Sequence, residues 1–211
     1  MTDAEWSSCD NPRTMLDYIL PRASERKLRL FAVACCRLIE DQIPANLRYG
    51  IEVVERYADG MAREEELGPI AGFRHLIPDP PSAVFAVICL GWAAARTPDF
   101  GAAVRSWSDM AYSEAHPWQK PTTWDFQVPW LRDIFGYLFR PNTLAGFDLQ
   151  KYDILELAHE IYVQRAFEKM PTLAERLEEA GISDSAILSH FRTANHHVRG
   201  CWALDMVLGR S

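Results

Sequence analysis

The residues best suited to bind a metal ion lie in one short C-terminal segment, and they are His190, His196, His197 and Cys201. Imidazole nitrogen and thiolate sulfur are preferred ligands of zinc in proteins, and iron also accepts both. His197 and Cys201 are four residues apart across a helix start predicted at Val198, so both side chains can reach one ion. The sequence therefore makes His190, His197 and Cys201 candidate ligands of a single Zn or Fe ion.

The fourth ligand and the existence of the site are both left open by the sequence. Cys35 or Cys36 would complete a four-ligand set, although no pattern places the two regions together. The spacing differs from that of a zinc finger, and no C-x-x-C pair occurs among the five cysteines. In the interpretation that the sequence favours, Cys201 packs as a small apolar residue, the histidines flank a helix, and no cofactor is bound.

A second candidate site is rich in tryptophan and proline and lies in the middle of the chain. Prolines alternate there with Trp118, Trp124 and Trp130, which predicts an irregular segment at about 116–130. If these tryptophans are exposed, they form a surface for a protein partner. Burial against the core is the favoured alternative, because tryptophan is highly buried on average.

Other residues that could do chemistry are expected to have structural roles. Cys35 and Cys36 lie in the apolar run LRLFAVACC, where burial raises the pKa of a thiol and lowers its reactivity. Asp133 and Asp205 lie in predicted amphipathic helices, where a solvated or ion-paired carboxylate is common. No G-x-S-x-G elbow and no glycine-rich phosphate loop occurs in the sequence.

A basic cluster surrounds the start of the second long helix, and it consists of Arg22, Arg26, Lys27, Arg29 and Arg37. Acidic residues are interspersed with it, namely Glu25, Glu40 and Asp41. Such mixed charge is typical of a solvated helix surface, and it makes an anion-binding site the less favoured interpretation.

Composition places the chain among globular proteins. Its 211 residues are 48% hydrophobic and 24% charged, values typical of a chain that folds around a core. A net charge of −7 provides no general basic surface for nucleic acid. The N-terminus is polar, and the longest apolar runs are shorter than the roughly 20 residues that span a bilayer. With two adjacent cysteines in an odd total, we expect reduced thiols, a cytoplasmic location and no membrane contact.

Hydrophobic periodicity and helix-boundary residues predict an all-α protein. Asn11 followed by Pro12 indicates a helix start, Leu28, Phe31 and Cys35 share one helix face, and Gly181 indicates a helix end. The signals add up to about eight to ten helices and no strands. We predict a single compact domain over residues 1–211, with an α-solenoid-like arrangement left open.

Both ends of the chain resemble a family of uncharacterised bacterial helical proteins. The similar segments include LRDIFGYLFRP at 131–141, which has the pattern LRDIFG-x-x-FRP, and HVRGCW at 197–202. The N-terminal run RKLRLFAVACCRLIEDQI is also similar, whereas the stretch from about Ala62 to Trp130 is not. The resemblance implies a compact helical domain in a bacterial cell, and it brings no activity, cofactor or catalytic residue.

Two functions are compatible with these observations. The favoured one is a cytoplasmic helical module for protein interaction or regulation, because no catalytic signature is assembled in the sequence. The alternative is a small metal-binding protein or enzyme whose site contains His190, His197 and Cys201. The sequence decides neither whether the protein is an enzyme nor its oligomeric state.

Overall fold

The computed structural model describes residues 1–38, 40–75, 122–139, 143–144, 146–150, 153–193 and 196–210. Within these ranges the chain forms ten α-helices and no strand, which confirms the all-α fold class. The residues divide into two compact units, Asp3–Leu131 and Arg132–Ser211. That the whole chain forms a single domain stays a prediction.

The first unit contains α1 (Asp3–Ser8), α2 (Pro12–Ile19), α3 (Glu25–Leu38), α4 (Tyr49–Ala58) and α5 (Glu64–Ala71). The predicted start of α2 is confirmed, because the Asn11 side chain accepts hydrogen bonds from the backbone N–H groups of Arg13 and Thr14. This side chain satisfies two amides that the helix itself leaves unpaired. Gly60, which follows α4, has a φ of 71°, as expected of a glycine that ends a helix.

Helix α3 is buried on every side, since each residue from Lys27 to Cys36 is shielded from solvent. The expected solvated surface is therefore wrong for Lys27 and Arg29, which are 2% and 1% exposed. Arg29 pairs with Glu25 and lies 5.2 Å from the Tyr57 ring centroid. Helix α4 packs along α3 and brings Tyr57 next to Arg29. The charge pattern of the sequence alone does not reveal this tertiary contact.

The next described helix, α6 (Thr122–Phe135), shows that the irregular segment predicted at about 116–130 is wrong over residues 122–130. Residues Thr122 to Trp130 are helical, and residues 116–121 lie outside the described part of the chain. Pro129 removes one helix hydrogen bond, which led to the incorrect prediction. Burial of Val128, Leu131 and Ile134 offsets that loss and keeps the helix continuous.

The second unit begins within the last turn of α6 and continues with a 3₁₀ turn (Gly136–Phe139). Its later helices are α7 (Ile154–Gln164), α8 (Met170–Glu179), α9 (Ser185–Thr193) and α10 (Trp202–Val207). Helix α8 packs against α7 and α9, and the short α10 packs against both of these and the 3₁₀ turn. Since α10 starts at Trp202 rather than at the predicted Val198, His197 and Cys201 lie in an irregular connection.

Two further helices lie outside the described residues: one that the Ala- and Val-rich run at 82–96 predicts, and one that Asp99 is expected to cap. Among the helices that the structure describes, none is both long enough and apolar enough to cross a membrane.

Candidate metal centre

Four side chains of the second unit converge on one point: Asp133, His190, His197 and Cys201. Asp133 lies in the last turn of α6 and His190 in the last turn of α9, whereas His197 and Cys201 precede α10. One ligand atom of each residue lies within 4.8 Å of the other three. The structure thus brings together the three ligands proposed from sequence and adds a carboxylate.

Three of the six distances between the ligand atoms are slightly shorter than those around a tetrahedral ion. His190 Nε2 lies 3.0 Å from Asp133 Oδ1 and 3.2 Å from Cys201 Sγ. His197 Nδ1 lies 2.8 Å from the same Asp133 oxygen. Zinc bonds of about 2.0 to 2.3 Å would set tetrahedral ligand atoms about 3.3 to 3.8 Å apart. To accommodate an ion, these three pairs of atoms would have to move apart by a few tenths of an ångström, and any pair separated by as much as 4.8 Å would have to move closer.

The Asp133 carboxylate is oriented by the backbone as well as by the histidines. Its Oδ2 accepts a hydrogen bond of 3.0 Å from the Val198 N–H, while Oδ1 faces both imidazoles. Burial alone would raise the pKa of Asp133, but hydrogen bonds from His190 and His197 and their charge hold that pKa well below its usual range. Asp133 is therefore an ionised carboxylate with one oxygen available as a single-atom ligand.

The cluster does not have the geometry of a catalytic triad, in which a nucleophile, a histidine and a carboxylate are hydrogen-bonded in series. In such a triad the nucleophile and the carboxylate bind opposite nitrogens of the histidine. Here Cys201 Sγ and Asp133 Oδ1 both approach Nε2 of His190. Burial and the nearby Asp133 charge also raise the pKa of the Cys201 thiol well above its usual value. Ligand atoms that share one metal ion lie close to one another, as Nε2, Sγ and Oδ1 do here.

Hydrogen bonds within the protein leave this cluster incompletely satisfied. His190 Nε2 lies within hydrogen-bond distance of both Asp133 Oδ1 and Cys201 Sγ, and the Cys201 thiol is also hydrogen-bonded to Asp133. His197 Nε2 is buried and has no partner among the described residues. His197 Nδ1, and not Nε2, is the atom that faces Asp133, so Nε2 stays unpaired with or without an ion in the cluster, at a cost of about 1–3 kcal/mol.

The site is largely buried, with His190 and His197 partly exposed as whole residues. The side chains of His197 and Asp133 are 3% and 4% exposed, that of His190 is 16% exposed, and Cys201 is fully buried. The Phe167 ring lies 6.3 Å from His197, and the Trp202 ring lies 5.0 Å from His190. Structural zinc sites have four protein ligands in such enclosed surroundings, whereas catalytic sites keep a position for water.

The other metal-ligand candidates from sequence are not part of the cluster. His196 is exposed, although it directly precedes His197. Cys35 and Cys36 are buried in α3 of the first unit, and Asp133 takes the place that either would have filled. Burial raises the pKa of Cys36 to about 12, in line with the expected low reactivity of these thiols.

The tryptophans proposed as a partner surface are only partly described. Trp130 is 8% exposed, as expected of an aromatic residue that packs in a core. Trp124 belongs to α6, and Trp118 lies outside the described residues. A protein-interaction function for this segment stays a prediction.

Asp133 is the ligand that sequence reasoning did not assign to the site. The sequence predicts a solvated or ion-paired carboxylate; in the structure it is 3% exposed and lies within hydrogen-bond distance of two histidines. The available signal was its position beside Ile134, on a helix whose apolar residues are buried. A single carboxylate so distant in sequence from the histidines has no spacing rule that would connect them.

Comparison with known proteins identifies no relative: no protein-family model, curated protein or solved structure matches the chain. Membership of the bacterial family that both chain ends resemble stays a prediction. The interpretation of the site therefore depends on its own geometry.

Proposed function

We propose that this chain is a metal-binding protein that holds one Zn²⁺ ion through Asp133, His190, His197 and Cys201. The observation that carries the proposal is the convergence of four ligand atoms within 4.8 Å in a buried site. Two imidazoles, one thiolate and one carboxylate form a ligand set that zinc accepts in tetrahedral geometry. Mg²⁺ and Ca²⁺ are disfavoured because they require oxygen ligands.

Charge balance supports a divalent cation at this position. With Asp133 and Cys201 deprotonated and both imidazoles neutral, the four ligands carry two negative charges. A Zn²⁺ ion would neutralise them, which matters because uncompensated charge in a buried site is costly. Metal binding would displace the proton that the Cys201 thiol retains at neutral pH in the absence of an ion.

The proposed role of the ion is to stabilise the second unit. Its ligands come from the end of α6, the end of α9 and the segment before α10. An ion shared by these parts would act as a cross-link, and its binding free energy would add to the stability of the folded state. Four protein ligands also leave no coordination position for a substrate, which favours a structural over a catalytic ion.

The test is the metal content of protein purified without a histidine tag under reducing conditions. We expect one zinc per chain by inductively coupled plasma mass spectrometry, and loss of that zinc in His197→Gln and Cys201→Ser. His196→Gln is the matched control, because it removes an exposed imidazole next to the site and should leave the zinc content unchanged. Wild-type protein that remains zinc-free after reconstitution with excess Zn²⁺ would overturn the proposal.

A further inference from the structure

One aromatic side chain contacts a proposed ligand and the residue that directly follows the helix of another. Trp202 directly follows Cys201 and is only 4% exposed. Its ring centroid lies 5.0 Å from that of His190, with an angle of 49° between the ring planes. Its indole also lies against Gly136, the first residue after α6.

The contact with Gly136 leaves no room for a side chain. A Cβ atom at this position would lie 2.7 Å from Trp202 Cδ1 and 2.8 Å from Nε1, shorter than real Cβ contacts. Gly136 is not among the glycines with positive φ, so its backbone conformation does not demand glycine. The close approach of the indole is the reason that a glycine is required here.

Three of the four proposed ligands are connected through this side chain. The indole contacts the backbone three residues after Asp133, faces the ring of His190, and is covalently adjacent to Cys201. A tryptophan has only two side-chain torsions, so a buried indole has little freedom to move independently of the residues that it contacts. Resting on the zinc-binding function proposed above, we infer that Trp202, seated on Gly136, is a positioning residue that sets the metal affinity of the site.

The expected effect follows from how far a methyl group at position 136 would move the indole. Restoring an ordinary contact distance of 3.4 Å requires a shift of roughly 0.7 Å at Trp202 Cδ1. A shift of that size, transmitted to Cys201 and His190, is large compared with the narrow range of zinc bond lengths. Changes to residues that orient metal ligands typically weaken metal binding by about 10- to 100-fold.

The experiment measures zinc affinity by chelator competition in full-length variants. We expect Gly136→Ala to weaken binding by about 10- to 100-fold. Gly68→Ala is the matched control, because a Cβ there meets no atom within 4 Å, and its zinc affinity should equal that of the wild type. Since phenylalanine is smaller than tryptophan, the double variant Gly136→Ala/Trp202→Phe should recover part of the lost affinity.

Two further readouts separate positioning from general loss of folding. In Co²⁺-substituted Gly136→Ala, the visible absorption bands should shift in energy or intensity, while helical circular dichroism remains that of the wild type. Unchanged zinc affinity in a folded Gly136→Ala would overturn the inference and leave the zinc proposal intact. If Gly136→Ala does not fold, Trp202→Phe decides, and wild-type affinity in that variant would overturn the inference. Absence of zinc binding by the wild type would instead defeat the proposed function.

Discussion

At the level of single residues, Asp133 supplies the carboxylate that both histidines face. Its Oδ1 lies 3.0 Å from His190 Nε2 and 2.8 Å from His197 Nδ1, and its Oδ2 accepts from the Val198 N–H. Asp133→Asn should reduce zinc affinity by at least about 10-fold. The substitution removes one negative charge from the ligand set and places an NH₂ group, which cannot bind the ion, next to the metal ligands. Chelator competition measures the change, and Asp148→Asn, an exposed position in the same unit, is the control. Equal affinities in the two variants would contradict a ligand role for Asp133.

The buried thiols of α3 provide a second prediction at this scale. Burial raises the pKa of Cys36 to about 12 and also raises that of Cys35, so very little thiolate is present at pH 8. Alkylation of native protein at pH 8 should modify the partly exposed Cys9 well before Cys35 or Cys36. Peptide mass spectrometry over time measures the order in which the thiols are alkylated, and denaturant should remove the difference between them. Early modification of Cys36 in folded protein would contradict its described burial.

At the level of helices, α3 is the best buried among the helices that the structure describes in residues 1–75. Phe31 is fully buried in the middle of this helix. Phe31→Ala should lower the free energy of unfolding by about 3–5 kcal/mol, because a large side chain is lost and a cavity is left. Urea unfolding measures the difference. The exposed Glu65→Ala in α5 should change stability by less than about 0.5 kcal/mol, and a similar small effect for Phe31→Ala would contradict the burial of α3.

Helix boundaries can be predicted from the sequence, whereas the packing of one helix against another cannot. The Asn11–Pro12 start and the glycine end signals at Gly60 and Gly181 are local, and the structure has helix boundaries at each of them. His190, His197 and Cys201 were candidates because they are close in sequence. Asp133 joins them only through the packing of α6, a long-range contact that leaves no local pattern. The helix continues through Pro129 for a related reason, because tertiary burial outweighs the local effect of a helix-breaking residue.

At the level of the whole molecule, all four proposed ligands belong to the second compact unit. A zinc ion that binds only the folded state stabilises it by an amount that grows with free zinc, about 2.7 kcal/mol at 100 times the dissociation constant. Chelation should therefore speed hydrogen exchange in α9 and α10, the helices next to the ligands. Helix α3, in the other unit, should exchange at an unchanged rate if the two units unfold independently.

Hydrogen-exchange mass spectrometry of the zinc-loaded and chelated protein distinguishes two ways in which the chain could respond. Faster exchange confined to the second unit would indicate a local metal-stabilised unit. Equal acceleration in α3 and α10 would indicate that the predicted single domain unfolds as one cooperative body, with the ion stabilising all of it. Cys201→Ser should exchange at the same rate with and without chelator, because the ligand set is incomplete in both conditions. An identical chelator response in Cys201→Ser and wild type would mean that the stabilising ion binds elsewhere, and the four-residue centre would then have no effect on stability.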